Sequence, residues 1–390
     1  MLRITGMIGL GAVLSLALVV LLILAAGASQ PMSQGPEAAE ARRAAFAETF
    51  EQLWPDYAGR LPDPAGRFTM RHQHHGFIDG VAVVDFELQD DELPLPPLII
   101  AAGGSNGGFW LGGPGWFPSR QYLGAMLMRS GFSIRSIAHF GGRPLPDWFG
   151  EGSLPPRLME GSLDAIAHVV RDARGTRGAQ RRCIGFIGVS KGGELTLLLA
   201  GYGEELSGGD GPLMDAAVAV VPSHVVNQSP ARTLLIRSSW SMGGEPLEFV
   251  RYPWLSPHIP GALMRDYPSV LALSHQLLSQ EAAVARAEIP AERAAMPVLL
   301  QGAVRDHMWP SAEMSRAAMA RAGRLNPGHA LEYLEYDLDH FLTSHPEPIL
   351  DAAAFLYERL RQAAEDGRCE ADFRPPGGVD AEPSRDLASG

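Results

Sequence analysis

The chain has 390 residues, 46% of them hydrophobic and 19% charged, which supplies ample material for a buried core and excludes disorder as its main state. Its 32 basic and 44 acidic residues give a formal net charge of −12, which argues against a nucleic-acid binder working through a general basic surface. Lys191 is the only lysine; every other basic residue is an arginine.

The first 30 residues read as a targeting segment. Arg3 precedes an uncharged stretch, Met7 to Ala26, long enough to span a bilayer, and Ala26-Gly27-Ala28-Ser29 has the small-x-small form of a signal peptidase site. A cleaved signal peptide and a retained N-terminal membrane anchor both place everything beyond residue 30 outside the cytoplasm, periplasmic or secreted in the first case. Membrane contact is then expected only through this segment.

Residues 31–96 read as an N-terminal extension. Phe46, Phe50, Leu53 and Trp54 recur at helical spacing between Pro36 and Tyr57. Arg67–Gln73 and Val81–Leu88 have the character of two strands, with Gly76-Phe77-Ile78-Asp79-Gly80 as the turn of a hairpin. From residue 97 short apolar runs alternate with helical segments. The runs are Leu98–Ala102, Ser133–Ala138, Cys183–Val189, Ala216–Val221, Pro297–Gln301 and Leu331–Tyr336, and the helical segments are 119–130, 158–173, 191–203, 311–323 and 346–363. Apolar runs of this length suit strands buried on both faces, so an α/β fold with a mostly parallel sheet and helices on both sides is expected over 97–365. Residues 223–288 break the rhythm with Gly243-Gly244, several prolines and Trp240, Tyr252 and Trp254; they read as a lid or cap with those aromatics lining an acyl pocket. Residues 366–390 read as a disordered tail.

Two cysteines, Cys183 and Cys369, cannot make a disulfide framework or a four-ligand site. Cys183 reads as an inert core thiol and Cys369 as a tail residue; whether they pair is left open, with pairing the less favoured reading.

The chemistry concentrates where the run Cys183–Val189 meets Gly188-Val189-Ser190-Lys191-Gly192-Gly193 and a helix-forming segment. This is Gly-x-Ser-x-Gly on a strand–turn–helix, a turn so sharp that side chains at 188 and 192 would collide with backbone. It presents the Ser190 hydroxyl as a nucleophile at a helix N-terminus. A base and an orienting acid are expected on later loops, in the order acid then histidine. Asp306 follows the run Pro297–Gln301 and His340 follows Leu331–Tyr336. His307 sits on the wrong loop and reads as a pocket or packing residue, while Asp337 and Asp339 are second choices for the acid. The Gly-rich loop Gly103–Gly108 offers backbone oxyanion donors at Gly104, Ser105 and Asn106, with the N–H of Lys191 as the other donor. His72, His74 and His75 lack a carboxylate or cysteine at ligand spacing, so neither a metal nor any other cofactor is expected.

Gly188-Val189-Ser190-Lys191-Gly192-Gly193-Glu194-Leu195 resembles the elbow of the acyl-CoA thioesterase / bile acid-CoA:amino acid N-acyltransferase family, in its C-terminal α/β-hydrolase domain. Ile289-Pro290-Ala291-Glu292-Arg293 and the acid loop Asp306-His307-Met308-Trp309 resemble the same family, and the likeness covers roughly residues 97–365. The resemblance implies a Ser190/Asp306/His340 triad acting on an acyl ester or thioester. Members that pass the acyl group to an amino acid use cysteine as nucleophile, so serine here favours water as acceptor. The expected activity is an exported serine hydrolase; acyl-CoA hydrolysis, transfer to an amine and a non-catalytic binding role are the alternatives.

Overall fold

The computed structural model describes residues 36–373 apart from 59, 62–68, 90–94, 106, 111–117, 141–142, 145–152, 155–159, 176–180, 210, 231–235 and 265. The targeting segment at 1–30, Asn106 and residues 374–390 lie outside the described residues. Among the described residues no helix is long and apolar enough to cross a membrane.

Eight strands form one sheet: β1 (Thr69–Ile78), β2 (Val81–Gln89), β3 (Leu98–Ala102), β4 (Ser133–Ala138), β5 (Ile184–Val189), β6 (Ala216–Val220), β7 (Val298–Ala303) and β8 (Leu331–Tyr336). Their spatial order is β1-β2-β4-β3-β5-β6-β7-β8. The β1–β2 and β2–β4 pairs are antiparallel and every other pair is parallel. The helices are α1 (Pro36–Tyr57), α2 (Pro118–Arg129), α3 (Leu163–Gly175), α4 (Lys191–Gly201), α5 (Gly203–Ser207), α6 (Ile259–Leu263), α7 (Tyr267–Leu278), α8 (Glu281–Ala287), α9 (Ser311–Leu325) and α10 (Pro346–Glu365). This strand order and the antiparallel β1–β2 entry define an α/β-hydrolase fold.

The apolar runs feed two cores because alternate residues of a strand point to opposite faces. Ile99, Ala101, Ile187, Val218 and Leu299 join α1, α2 and α10 on one side. Ile100, Ala102, Phe186, Ala217 and Leu300 join α3, α4 and α9 on the other. Runs without polar alternation are what a sheet covered on both faces requires.

Three expectations are corrected. β1 continues to Ile78, so the hairpin turn is only Asp79-Gly80; both take positive φ, 49° and 78°, the conformation of a tight two-residue turn. β8 is not buried on both faces: it closes the sheet edge, and Glu332 and Glu335 face solvent. Residues 366–373 are no disordered tail. Glu370 donates to Arg181 O and accepts from Cys183 N, Asp372 N donates to Leu95 O, and Cys183 is disulfide-bonded to Cys369, the Cα atoms 4.9 Å apart. The core thiol and the tail thiol are therefore one crosslink. Asp215 lies beside the two sulfurs, the single cluster of metal-ligand type among the described residues, but the sulfurs are bonded to each other.

Residues 223–288 hold α6, α7 and α8, and a two-strand turn of Trp240–Met242 with Glu245–Pro246. Trp240 and Ser241 pair in turn with Gly161 and Ser162.

Candidate active site

Strand register brings the proposed site residues to one edge. Ala102 lies opposite Gly188, Val189 opposite Val220, Gln301 opposite Val220, and Ala303 opposite Tyr336. The segments that follow β3, β5, β7 and β8 therefore leave the sheet side by side, as ligand-binding loops do at the carboxyl ends of parallel strands.

At the end of β5 the chain turns through Ser190 with φ 57° and ψ −112°, a conformation rare for a non-glycine residue that costs about 1–3 kcal/mol. The neighbours hold it there: Ser190 N donates to Val220 O and Ser190 O accepts from Glu194 N. A Cβ on Gly188 would stand 2.0 Å from Gly192 O, and one on Gly192 would stand 2.4 Å from Ala102 O and 2.5 Å from Gly103 O. No side chain fits either gap. The same closeness seats the elbow against the loop after β3, where the Cβ position of Gly104 is 3.9 Å from Ser190 Oγ. Gly104 thus stands beside the serine, with Ser105 next to it in the chain and exposed; Gly107, at φ 67°, turns the loop by donating to Gly104 O.

The acid and histidine loops are zipped by backbone bonds, Val304 N to Tyr336 O and Arg305 N to Leu338 O. This brings His340 Nδ1 to 2.8 Å from Asp306 Oδ2, with both side chains buried. The other oxygen, Asp306 Oδ1, accepts from Met308 N at 2.9 Å and Trp309 N at 3.2 Å. Burial raises the affinity of the Asp306 carboxyl for its proton, but the bonds from His340, Ser311 and Met308 outweigh it, and the group stays below the ordinary carboxylate range. Trp309 packs edge-on to His340 and donates its indole N–H to Val221 O, joining this loop to the end of β6.

The rival acids are occupied elsewhere. Asp337 is exposed and paired with Arg305, and Asp339 accepts from Phe341 N. His307 packs between Tyr267 of α7 and Phe341. The aromatic series Tyr267, His307, Phe341 and His340 thus runs from the 223–288 segment to the histidine.

The pocket aromatics separate. Trp254 is 76% exposed. Tyr252 is half-buried, and burial followed by the nearby Glu194 carboxylate pushes its hydroxyl up to about 12. Trp240 is not a pocket wall. It is fully buried, stacked on Phe140 and tilted against His139, tight against Gly161, and its Nε1 donates to Glu194 Oε1 at 2.8 Å. Glu194 and Asn227, given no role from sequence, meet at that point: Asn227 donates to Glu194 through its backbone N at 3.2 Å and its Nδ2 at 3.0 Å. The available signal was a lone carboxylate in the otherwise apolar helix Glu194-Leu195-Thr196-Leu197-Leu198-Leu199-Ala200.

A comparison with the curated proteins finds no significant match. Among solved structures, a puromycin-hydrolysing peptidase of Mycobacterium tuberculosis is similar with a TM-score of 0.46 at 14% identity, over 74% of this chain and 39% of that one. An esterase of Pyrococcus furiosus is similar with a TM-score of 0.45 at 12% identity, over 76% of this chain and 94% of the esterase. The chain spans well under half of the peptidase's length. The fold is defined by strand order and elbow, not by these neighbours. Residues 173–344, which hold the elbow, the Ile-Pro-Ala-Glu-Arg segment, the acid loop and the histidine, match a family model. The chain has an α/β-hydrolase fold, and its residues 173–344 match the family model described as BAAT / acyl-CoA thioester hydrolase C terminal.

Proposed function

We propose that this protein is an exported serine hydrolase that cleaves a small-molecule acyl ester or thioester through an acyl-enzyme on Ser190. The observation that carries the reading is the buried 2.8 Å bond between Asp306 Oδ2 and His340 Nδ1, made at the same sheet edge as the elbow serine. With Nδ1–H held by the carboxylate, Nε2 is the basic nitrogen of His340. Ser190 Oγ attacks the acyl carbon as its proton passes to Nε2. The oxygen that becomes negative is met by the backbone N–H of Lys191 and by the loop that begins at Gly104. Collapse breaks the bond to the alcohol or thiol, which leaves with the proton from His340. Water then repeats the sequence and releases the carboxylic acid. These steps draw on no cofactor. Tyr252 and Trp254 are the remaining candidates for the acyl-side wall.

Two features support export. The apolar stretch Met7 to Ala26 precedes a small-x-small site. The Cys183–Cys369 bond belongs to oxidising compartments rather than to a reducing cytosol.

Labelling with a fluorophosphonate tests the nucleophile. Wild type takes the probe and Ser190→Ala does not; an unlabelled wild type would overturn the reading. A chain-length series of p-nitrophenyl esters and CoA thioesters then separates ester from thioester as the preferred class.

A further inference from the structure

We infer that Lys191 and Glu194 are positioning residues: their buried ion pair sets the backbone N–H of Lys191 as an oxyanion donor and ties the elbow to the root of the 223–288 segment. The inference rests on the serine-hydrolase reading and adds to it a requirement for this particular pair.

The pair is enclosed, the Lys191 side chain 2% exposed and that of Glu194 fully buried. An ammonium has three N–H donors, and each has an acceptor here. Lys191 Nζ lies 2.8 Å from both carboxylate oxygens of Glu194 and 3.5 Å from Asn227 O. The carboxylate is satisfied as fully. Its Oε1 also accepts from Asn227 N and Trp240 Nε1, and its Oε2 from Asn227 Nδ2. The network continues outward, Asn227 Nδ2 to Ser223 Oγ at 2.9 Å and Ser239 Oγ to Asn227 O at 2.8 Å. One carboxylate on the first turn of α4 therefore anchors the chain leaving β6 and the short strand at Trp240–Met242.

Stability alone gives little reason for such a pair, because replacing a buried ion pair with apolar side chains of like volume is often neutral or stabilising. Its location gives a better one. The N–H of Lys191 opens α4, where no intrahelical acceptor exists, and it has no acceptor among the described residues. Three contacts fix this unit. Ser190 N is bonded to Val220 O on one side, Gly192 is wedged against Ala102 O and Gly103 O on the other, and the Lys191 side chain is held at its far end. Without the third, residue 191 can turn about its own backbone and swing its N–H off the developing charge. A guanidinium cannot substitute, since its five donors exceed the three acceptors that Lys191 uses.

The test is the double variant Lys191→Met/Glu194→Gln, which removes both charges at nearly constant volume and leaves an acceptor for Trp240 and Asn227. On a p-nitrophenyl ester, kcat falls tenfold or more with KM within about threefold of wild type, as loss of a contact made only in the transition state requires. The rate of fluorophosphonate labelling falls in parallel while the melting temperature stays near that of wild type. A merely structural role would move the melting temperature and leave kcat intact. Lys191→Arg does not rescue. Trp240→Phe keeps an aromatic ring against Phe140 while deleting the pyrrole part that bonds Glu194. It provides a second variant if the double change does not fold, with a severalfold drop in kcat expected and its melting temperature recorded alongside. A folded variant with kcat and labelling within twofold of wild type overturns this inference alone. A wild type that takes no fluorophosphonate overturns the serine-hydrolase reading and this inference with it.

Discussion

Both oxygens of Asp306 are engaged in different tasks, Oδ1 on two backbone N–H groups of its own loop and Oδ2 on His340. The first fixes the carboxylate and the second fixes the imidazole tautomer. Asp306→Asn keeps the shape but can place an amide N–H against Nδ1, which moves the imidazole proton to Nε2, where a base needs a lone pair. Turnover of a p-nitrophenyl ester by this variant is expected to fall by roughly three to four orders of magnitude, with the fold intact by circular dichroism. Turnover within tenfold of wild type would assign the acid elsewhere, with Asp339 the next candidate. That Ser190, Asp306 and His340 stand on the loops after β5, β7 and β8 was legible because each follows a short apolar run that the sheet turns into a strand. Trp240 was misread because an aromatic residue in an irregular stretch gives no sign of what it packs against. Lys191 was conspicuous as the sole lysine, and its three satisfied donors now supply a physical reason for the exception.

Elements followed the same division. The buried strands β3 to β7 emerge close to their apolar runs, because continuous apolar sequence has no other use in a covered sheet. β8 escaped that reading, since Leu331-Glu332-Tyr333-Leu334-Glu335-Tyr336 alternates only in part and lies at an edge. The Cys183–Cys369 link was illegible for another reason. The two residues are 186 positions apart, and only the docking of residues 369–372 beside the entries of β3 and β5 brings them together. A crosslink closing so long a loop removes much unfolded-chain entropy, so Cys369→Ser is expected to lower stability by about 2–5 kcal/mol. Urea unfolding with and without dithiothreitol checks this: reductant should bring wild type to the level of the variant and leave the variant unchanged. A wild type indifferent to reductant at every urea concentration would remove the bond from the stability account.

Across the molecule, acid sensitivity among the described residues follows chiefly from His139 and His224, the histidines that burial pushes down furthest, with half-buried His345 pushed down less. His139 and His224 both have buried ring nitrogens without a hydrogen-bond partner. His139, at the end of β4, is pushed down to about 3 by burial and then by the Lys191 cation. His224, after β6, is pushed down to about 4 by burial, with Glu288 opposing and Arg321 assisting. Both stay neutral in the folded protein while the unfolded chain takes up protons near the ordinary histidine value of about 6.5. Their contribution to stability is therefore whole above about 6.5 and shrinks as pH falls from there toward the folded values. Asp306 acts in a lower window: its depressed carboxyl stabilises the fold above the ordinary aspartate range and loses that effect only as pH drops through its folded value. Between pH 7 and pH 5 the histidines dominate, and the unfolding free energy is expected to fall by about 3–4 kcal/mol, each contributing at most about 1.4 kcal/mol per pH unit. His139→Phe keeps an aromatic ring beside Phe140 and Trp240 and should remove about half of that drop, read from urea unfolding at the two pH values. A wild-type free energy that is flat from pH 7 to pH 5 would mean these rings already carry partners that hold a proton in the folded state. The buried cation at Lys191 would then need a different neighbour from the neutral imidazole placed there.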